Sequence, residues 1–244
     1  MRALLLNSGI GHRMGELTRR QPKCMTPIGQ GYTILSHQLE QICKAGIPEV
    51  LITTGPFSNP LRAYVEGLAL PLRVSFIHNP DYAKTNYIYS MHLAAPLLRG
   101  QDVCLFHGDL VLENSVLSAL LAAKTSVMAV DSTLPLPEKD FKAKLQNGKI
   151  IAVGVDLFGA DCAACQPAYK WLAADWERWM HAIDAFVKAG NVGVYAENAF
   201  NAQNGAIPLH PLEMHGKLCN EIDNSDDLEA VSRRFQSLFV SHQP

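Results

Sequence analysis

The residues best equipped for chemistry begin where the first apolar run of the chain ends. Leu6-Asn7-Ser8-Gly9-Ile10-Gly11-His12-Arg13-Met14 is followed by Thr18 and then by Pro22-Lys23. Glycines at 9 and 11 let backbone N–H groups close on an anionic ligand, and Arg13 and Lys23 add charge that stays positive at pH 7. A polyphosphate lying along this loop finds both kinds of partner. A dinucleotide-binding fingerprint fits poorly: the third glycine stands at 15, one position late, and no acidic residue ends the second strand. No Gly-Lys-Ser/Thr follows the glycines, so the segment is not a P-loop either.

Two further groups bring carboxylates, Gly108-Asp109 and Asn220-Glu221-Ile222-Asp223. A metal bridging triphosphate oxygens needs such groups, and Mg²⁺ usually takes only one or two from protein. Each has a plainer reading: Asp109 caps a turn, and Asp223 caps the last helix. His107 reads as the last side chain of a strand.

The elements that must position these residues alternate. Arg2 to Asn7 is an unbroken apolar run, the mark of a buried parallel strand. Ile34, Leu35, Gln38, Leu39, Ile42 and Cys43 recur at helical spacing, and Gly46 stops that helix. Glu49 to Thr54, Leu72 to Ile77 and Asp102 to His107 read as strands. Leu61 to Leu68 and Tyr87 to Leu98 read as helices. That rhythm predicts an α/β fold: a Rossmann-like, open, mostly parallel sheet. Ligands of such sheets bind beyond the carboxyl ends of the strands, where the loop after Asn7 and the Gly108-Asp109 turn both fall.

After about residue 130 the pattern changes. Phe141 to Val155 predicts a hairpin turning at Asn147-Gly148. Residues 166–189 read as one long helix on which positions 171, 175 and 179 share a face. That places Trp171, Trp176, Trp179 and nearby Tyr169 in the core rather than around a quaternary ammonium group. A closing helix follows Asn224, whose side chain suits an N-cap. The whole chain, 1–244, reads as a single domain: a nucleotide-binding core over 1–130, then a small β-hairpin and helical acceptor lobe with the closing helix over 131–244.

The chain has 244 residues, 48% of them hydrophobic, which is ample for a sizeable core and excludes disorder. Twenty-one basic residues against 23 acidic ones give a formal charge of −2. Neither nucleic acid nor an anionic membrane is an expected partner of such a surface. No apolar run approaches the roughly 18 residues that span a bilayer. Polarity begins at Asn7, too early for a secretory leader, so a cytoplasmic location is expected. Cys162-Ala163-Ala164-Cys165 lacks a second close ligand pair for zinc, and its flanks read as helix, which favours ordinary reduced thiols.

With Arg13 and Pro22-Lys23 included, the first loop resembles the signature of nucleotidyltransferases that join an NTP to a phosphorylated small molecule. Their pattern runs roughly L-A-A-G-x-G-x-R, a threonine, then P-K; here Asn7-Ser8 stands in place of Ala-Ala. The Glu221-Ile222-Asp223 ending and the Tyr82 to Ser90 stretch are similar to choline-phosphate and phosphonate cytidylyltransferases. The resemblance implies transfer of CMP from CTP to a small phosphate or phosphonate, such as phosphocholine or a 2-aminoethylphosphonate-like acceptor. Pyrophosphate would be released, with Mg²⁺ as cofactor, in a homodimer. It assigns catalytic roles to Lys23 and Arg13 and nucleotide contacts to Leu6, Asn7, Ser8, Gly9, Gly11, Thr85, Asn86 and Ser90. The metal falls to Asp109 and Asp223. For the acceptor, Tyr195, Glu197 and Glu221 are weak candidates; as an ammonium partner neither Glu197 nor Glu213 has a spacing argument to prefer it. The alternatives are a sugar-1-phosphate nucleotidyltransferase using dTTP or UTP, a non-catalytic nucleotide-binding module, and a nicotinamide-dinucleotide enzyme.

Overall fold

The computed structural model describes residues 1–240, apart from the side chains of His12, Arg13 and Val240. The first half alternates as its hydrophobic periodicity requires. Strand β1 (Arg2–Asn7) leads into the loop, followed by the short ribbon β2 (Pro27–Gly29) and β3 (Tyr32–Thr33). Helix α1 (Ile34–Lys44) opens on a capping box between Thr33 and Ser36. Then come β4 (Glu49–Thr54), α2 (Ser58–Gly67), β5 (Arg73–His78), α3 (Tyr87–Ala94), β6 (Val103–His107), β7 (Leu110–Leu112), α4 (Asn114–Ala122) and β8 (Val127–Asp131). Pro96 tightens Ala95–Leu98 into a 3₁₀ turn, which ends the helix predicted to run through Leu98.

The second half supplies β9 (Lys142–Gln146) and β10 (Lys149–Gly154), the predicted hairpin. Asn147 and Gly148 both take the positive φ that its two-residue turn demands. Next are β11 (Cys162–Trp171), α5 (Ala173–Lys188), α6 (Ala196–Asn201), β12 (His210–Glu213), β13 (Cys219–Glu221) and α7 (Ser225–Val240). Asn224 Oδ1 accepts the Asp226 and Asp227 N–H groups, so the predicted cap is present.

One expectation is corrected here. Residues 166–171 are strand, not the front of a helix, and only Ala173–Lys188 is helical. A central strand covered on both faces reads as a nearly continuous apolar run, so length and periodicity misassign it. Trp171 therefore shares no helical face with residues 175 and 179. Tyr169, Trp171, Trp176 and Trp179 are nevertheless all core, each no more than 1% exposed.

Nine strands form the main sheet, in the order β10-β9-β11-β6-β1-β4-β5, with β8 on β11 and β12 on β8. Its centre, β6-β1-β4-β5, is parallel throughout. Strand β11 runs antiparallel to β6 and joins the second half to the same sheet. Because β1 and β6 are neighbours in parallel register, the loop after Asn7 and the turn after His107 emerge side by side. Among the described residues no helix is long and apolar enough to cross a membrane.

Candidate active site

The loop after β1 is held from three sides. Thr18 Oγ1 donates to Gly11 O at 2.8 Å, and Gly11 takes a left-handed φ of 74° with its Cα closely backed by Thr18 and Lys23. A Cβ there would lie 3.3 Å from Thr18 Cγ2, so a larger residue is strained by the torsion and tight against Thr18. Ser8 Oγ lies 2.6 Å from the buried Ser90 Oγ, which accepts from Asn79 Nδ2 at 3.0 Å. Asn7 N donates to Thr53 Oγ1 at 2.9 Å. Gly9, with nothing within 4 Å of a Cβ position, faces open space.

Lys23 arrives on a single 3₁₀ turn, Lys23–Met25, and its Nζ donates to Asp109 Oδ2 and Asp223 Oδ1, each at 2.6 Å. Two bonds to one nitrogen keep the two carboxylate oxygens within twice that length. What brings Asp223 there is local pairing. Strand β13 lies antiparallel to β7, Glu221 sits opposite Leu110, and Ile222 N donates to Asp109 O at 3.0 Å. Gln38, from α1, clamps the turn from below, donating to His107 O and Leu110 O, each at 2.8 Å.

These charges perturb one another. Burial works against the Lys23 ammonium, but Asp109 and Asp223 outweigh it and raise its pKa. Burial likewise opposes the Asp109 charge, yet Lys23 and His107 hold that carboxyl below its usual value. His107 Nδ1 lies 2.9 Å from Glu221 Oε1. Burial and the Asp109 charge push Glu221 up to about 7, and burial disfavours charged His107 while Glu221 favours it enough to raise its pKa. The two groups therefore titrate as one coupled pair.

Three adjoining cavities surround this group. One of about 330 Å³ is lined by Asn7, Gly9, Gly11, Lys23, Asp109 and Asp223. A second, about 380 Å³, takes Ser8, Asn79, Tyr82, Thr85, Asn86 and Tyr87 among its walls. A third, about 350 Å³, lies between Tyr87, His107, Phe141 and Tyr195 on one hand and Asp140, Glu221 and Asp223 on the other. The rings touch in sequence: Tyr87 edge-on to His107 at 4.7 Å, Tyr195 stacked on Tyr87 at 5.9 Å, Phe141 edge-on to Tyr195 at 5.1 Å. The loop and Lys23 beside the first cavity suit an anion, whereas the third is lined by rings and carboxylates with Lys139 among them.

Residues 3–235 match the MobA-like NTP transferase domain. The chain belongs to that family. Its most similar curated relatives include CMP-5'-(3-aminopropyl)phosphonate synthase of Streptomyces rubellomurinus, 37% identical over 136 residues. That match takes in 56% of this chain and 21% of the relative. CTP:phosphoglutamine cytidylyltransferase of Campylobacter jejuni is 28% identical over 169 residues, 63% of this chain and 65% of the relative. The chain thus spans about a fifth of the first relative and just under two thirds of the second. 2-Aminoethylphosphonate cytidylyltransferase of Lancefieldella rimae is 23% identical over 251 residues, 98% of this chain and 95% of the relative. In fold, the domain superposes on the CTP:phosphocholine cytidylyltransferase of Streptococcus pneumoniae with a TM-score of 0.76 at 19% identity. That superposition covers 96% of this chain and 98% of the other.

In this NTP transferase domain Leu6, Asn7, Gly9 and Gly11 line the first cavity, with Lys23, Asp109 and Asp223. Ser8, Thr85 and Asn86 line the second. Ser90 is fully buried and reaches the loop through Ser8, while Asn86 caps α3 by accepting the Tyr87 N–H. Tyr195 and Glu221 line the third cavity. Glu197 lies behind that wall, bonded to Tyr87, and Glu213 is elsewhere, on β12, accepting from Ser132 N at 3.1 Å. The Arg13 side chain lies outside the described residues. His107 is the last residue of β6, as its sequence position predicts, and its ring also faces Glu221. Asn79, absent from the predicted set, donates through Nδ2 to both Thr85 Oγ1 and Ser90 Oγ. The signal for Asn79 was an Asn-Pro pair directly after a strand end, a position where α/β sheets place ligands.

Proposed function

We propose that this domain transfers CMP from CTP to a small phosphate or phosphonate that carries an amino or quaternary ammonium head group. The observation that carries the reading is Lys23, held between Asp109 and Asp223 at the mouth of a glycine-lined loop. The triphosphate lies along the N–H groups of the loop from Ser8 to Gly11, with the nucleoside over Thr85 and Asn86. The acceptor enters from the third cavity, where ring faces and carboxylates outnumber the one lysine, Lys139, and suit a cationic head group.

One acceptor oxygen forms a bond to the α-phosphorus while the bond from that phosphorus to the bridging oxygen breaks. The electron pair leaves with pyrophosphate. The acceptor is already an anion, so no proton has to be removed, and the barrier is charge repulsion and alignment. Lys23 lowers both, because its ammonium can follow charge building on the leaving group.

The donor set also fits Mg²⁺. Asp109 Oδ1 is buried with no hydrogen-bond donor among the described residues. One ligand atom each of Asp109, Glu221 and His107 lie within 4.8 Å of one another. Of that group Asp109 would hold the ion through a hard oxygen donor, and Asp223, which shares Lys23 with it, would be the second. Bound there, Mg²⁺ neutralises triphosphate charge.

Pyrophosphate release, measured for CTP, UTP, dTTP and ATP against 2-aminoethylphosphonate, phosphocholine, ethylphosphonate and glucose 1-phosphate, tests the reading. Turnover with CTP and the two cationic acceptors is expected. Turnover with glucose 1-phosphate alone overturns the acceptor assignment. Tight CTP binding with no turnover of any pair overturns the catalytic one.

A further inference from the structure

Glu197 is the second residue of α6 and only 2% exposed. Its two oxygens are taken by two phenols: Tyr87 donates to Oε2, and Tyr169 donates to Oε1 at 2.8 Å. No lysine or arginine pairs with it among the described residues. Its hydrogen-bond donors are both neutral, a costly setting for a buried carboxylate, and proteins that keep one generally use it. The mount is rigid. Trp179 Nε1 donates to Ala196 O at 3.1 Å, and Asn201 exchanges two hydrogen bonds with the Val153 backbone, each at 2.8 Å. Helix α6 is thus tied to α5 and to β10 on either side of Glu197.

The phenol it holds belongs to a wall of the site. Tyr87 lines both the second and the third cavity, and its ring touches His107 and Tyr195. We propose that Glu197 is a positioning residue: its carboxylate, gripping the Tyr87 hydroxyl from behind, fixes that ring against the acceptor cavity and biases the cavity toward ammonium-bearing acceptors. The inference rests on the acceptor reading above.

Two physical effects act together. A ring fixed at its hydroxyl loses less freedom when a head group packs on it, so less of the binding energy goes into ordering. A phenol donating to a carboxylate also becomes more electron-rich, and a richer face attracts a cation more strongly. Tyr169, anchored by the same carboxylate, is core and lines none of the three cavities, which leaves Tyr87 as the channel for the effect. Glutamine at 197 preserves volume but removes the charge, and it offers one acceptor oxygen where two phenols donate.

The test compares 2-aminoethylphosphonate with ethylphosphonate, which lacks the amine, in the full chain with CTP and Mg²⁺. Glu197→Gln is expected to lower the ratio of kcat/KM between the two acceptors about tenfold, with the loss in KM of the aminated one. Tyr87→Phe keeps the ring and removes only its anchor. It is expected to shift the ratio in the same direction, and it serves where Glu197→Gln folds poorly. A purely structural role lowers kcat/KM for both acceptors together and leaves the ratio unchanged, which overturns the inference. A wild-type protein that uses the two acceptors equally overturns the cationic-acceptor reading, and the inference falls with it. A wild-type preference that survives both substitutions overturns the inference alone.

Discussion

Lys23 Nζ and Asp223 Oδ1 lie 2.6 Å apart although 200 positions separate them in the chain. The same nitrogen bonds Asp109, 86 positions away, at the same distance. One side chain therefore joins the first loop, the turn after β6 and the segment after β13. The ion pairs are only 14–21% exposed, so their attraction is weakly screened.

Lys23→Ala is expected to lower kcat at least about 100-fold, the usual consequence of removing a charged donor that follows the transition state. It also leaves two carboxylates facing each other without their cation, at a cost on the order of 3 kcal/mol at pH 7. Millimolar Mg²⁺ should then raise Tm more in Lys23→Ala than in the wild type, since the ion takes up the role of counter-charge. Equal Mg²⁺ shifts in the two proteins would count against a cation site at Asp109 and Asp223.

Asp109→Asn and Asp223→Asn each keep the shape and remove one charge. Each should raise the Mg²⁺ concentration needed for half-maximal turnover on the order of tenfold or more, and lower turnover at saturating Mg²⁺. A Mg²⁺ titration of initial rate reads both. An unchanged midpoint in either variant removes that residue from the metal set.

Much of this site was legible in the sequence because its parts are locally encoded. The loop glycines and Pro22-Lys23 lie within 18 residues, and Asp109 comes two residues after a strand whose apolar run is unambiguous. The pairing of β13 with β7 was not legible, since both are three-residue strands too short to carry periodicity, yet that pairing delivers Glu221 and Asp223. Residues 166–171 misled for a different reason. Pro167 stands at a register shift between Cys165 and Tyr169, where a missing N–H costs no ladder bond, so its presence inside a strand is tolerated. The Glu197 grip on Tyr87 spans 110 positions between two helices, and nothing in either segment announces the other.

Asp131 gives a pH-dependent prediction away from the site. It is 1% exposed and accepts from Thr133 N at 3.0 Å, Thr133 Oγ1 at 2.5 Å and Gly216 N at 2.6 Å. Burial works to raise its pKa, but the Thr133 and Gly216 donors prevail and lower it below 3.8. A carboxyl lower in the folded than in the unfolded state contributes stability above the unfolded value, lost as pH falls through the folded one. Asp131→Asn turns an amide N–H toward donors, so urea denaturation at pH 7 should show it about 1–3 kcal/mol less stable. The gap should narrow below pH 4; a gap unchanged from pH 7 to pH 3 would show that the charge of Asp131 contributes nothing.

Two glycines of the site should respond to alanine in opposite ways. A Cβ on Gly108 would stand 1.9 Å from Asn7 Oδ1 and 2.7 Å from Leu6 O, and the latter is backbone that cannot swing aside. Gly108 N also donates to Leu6 O at 3.0 Å, so the turn carrying Asp109 is stitched to β1 at the point of collision. Gly108→Ala must therefore push β6 and β1 apart at their ends, at about 1–3 kcal/mol, and displace Asp109 from Lys23. Both Tm and kcat should fall. Gly9 has nothing within 4 Å of a Cβ and lines the first cavity, so Gly9→Ala should fold with Tm nearly unchanged. Its methyl group instead occupies space that the loop N–H groups need for close approach to phosphate, and the KM for CTP should rise several-fold. Thermal melts of both variants, with initial rates across CTP concentration, separate the two. A Gly9→Ala variant with wild-type KM would mean that the triphosphate does not lie along this loop.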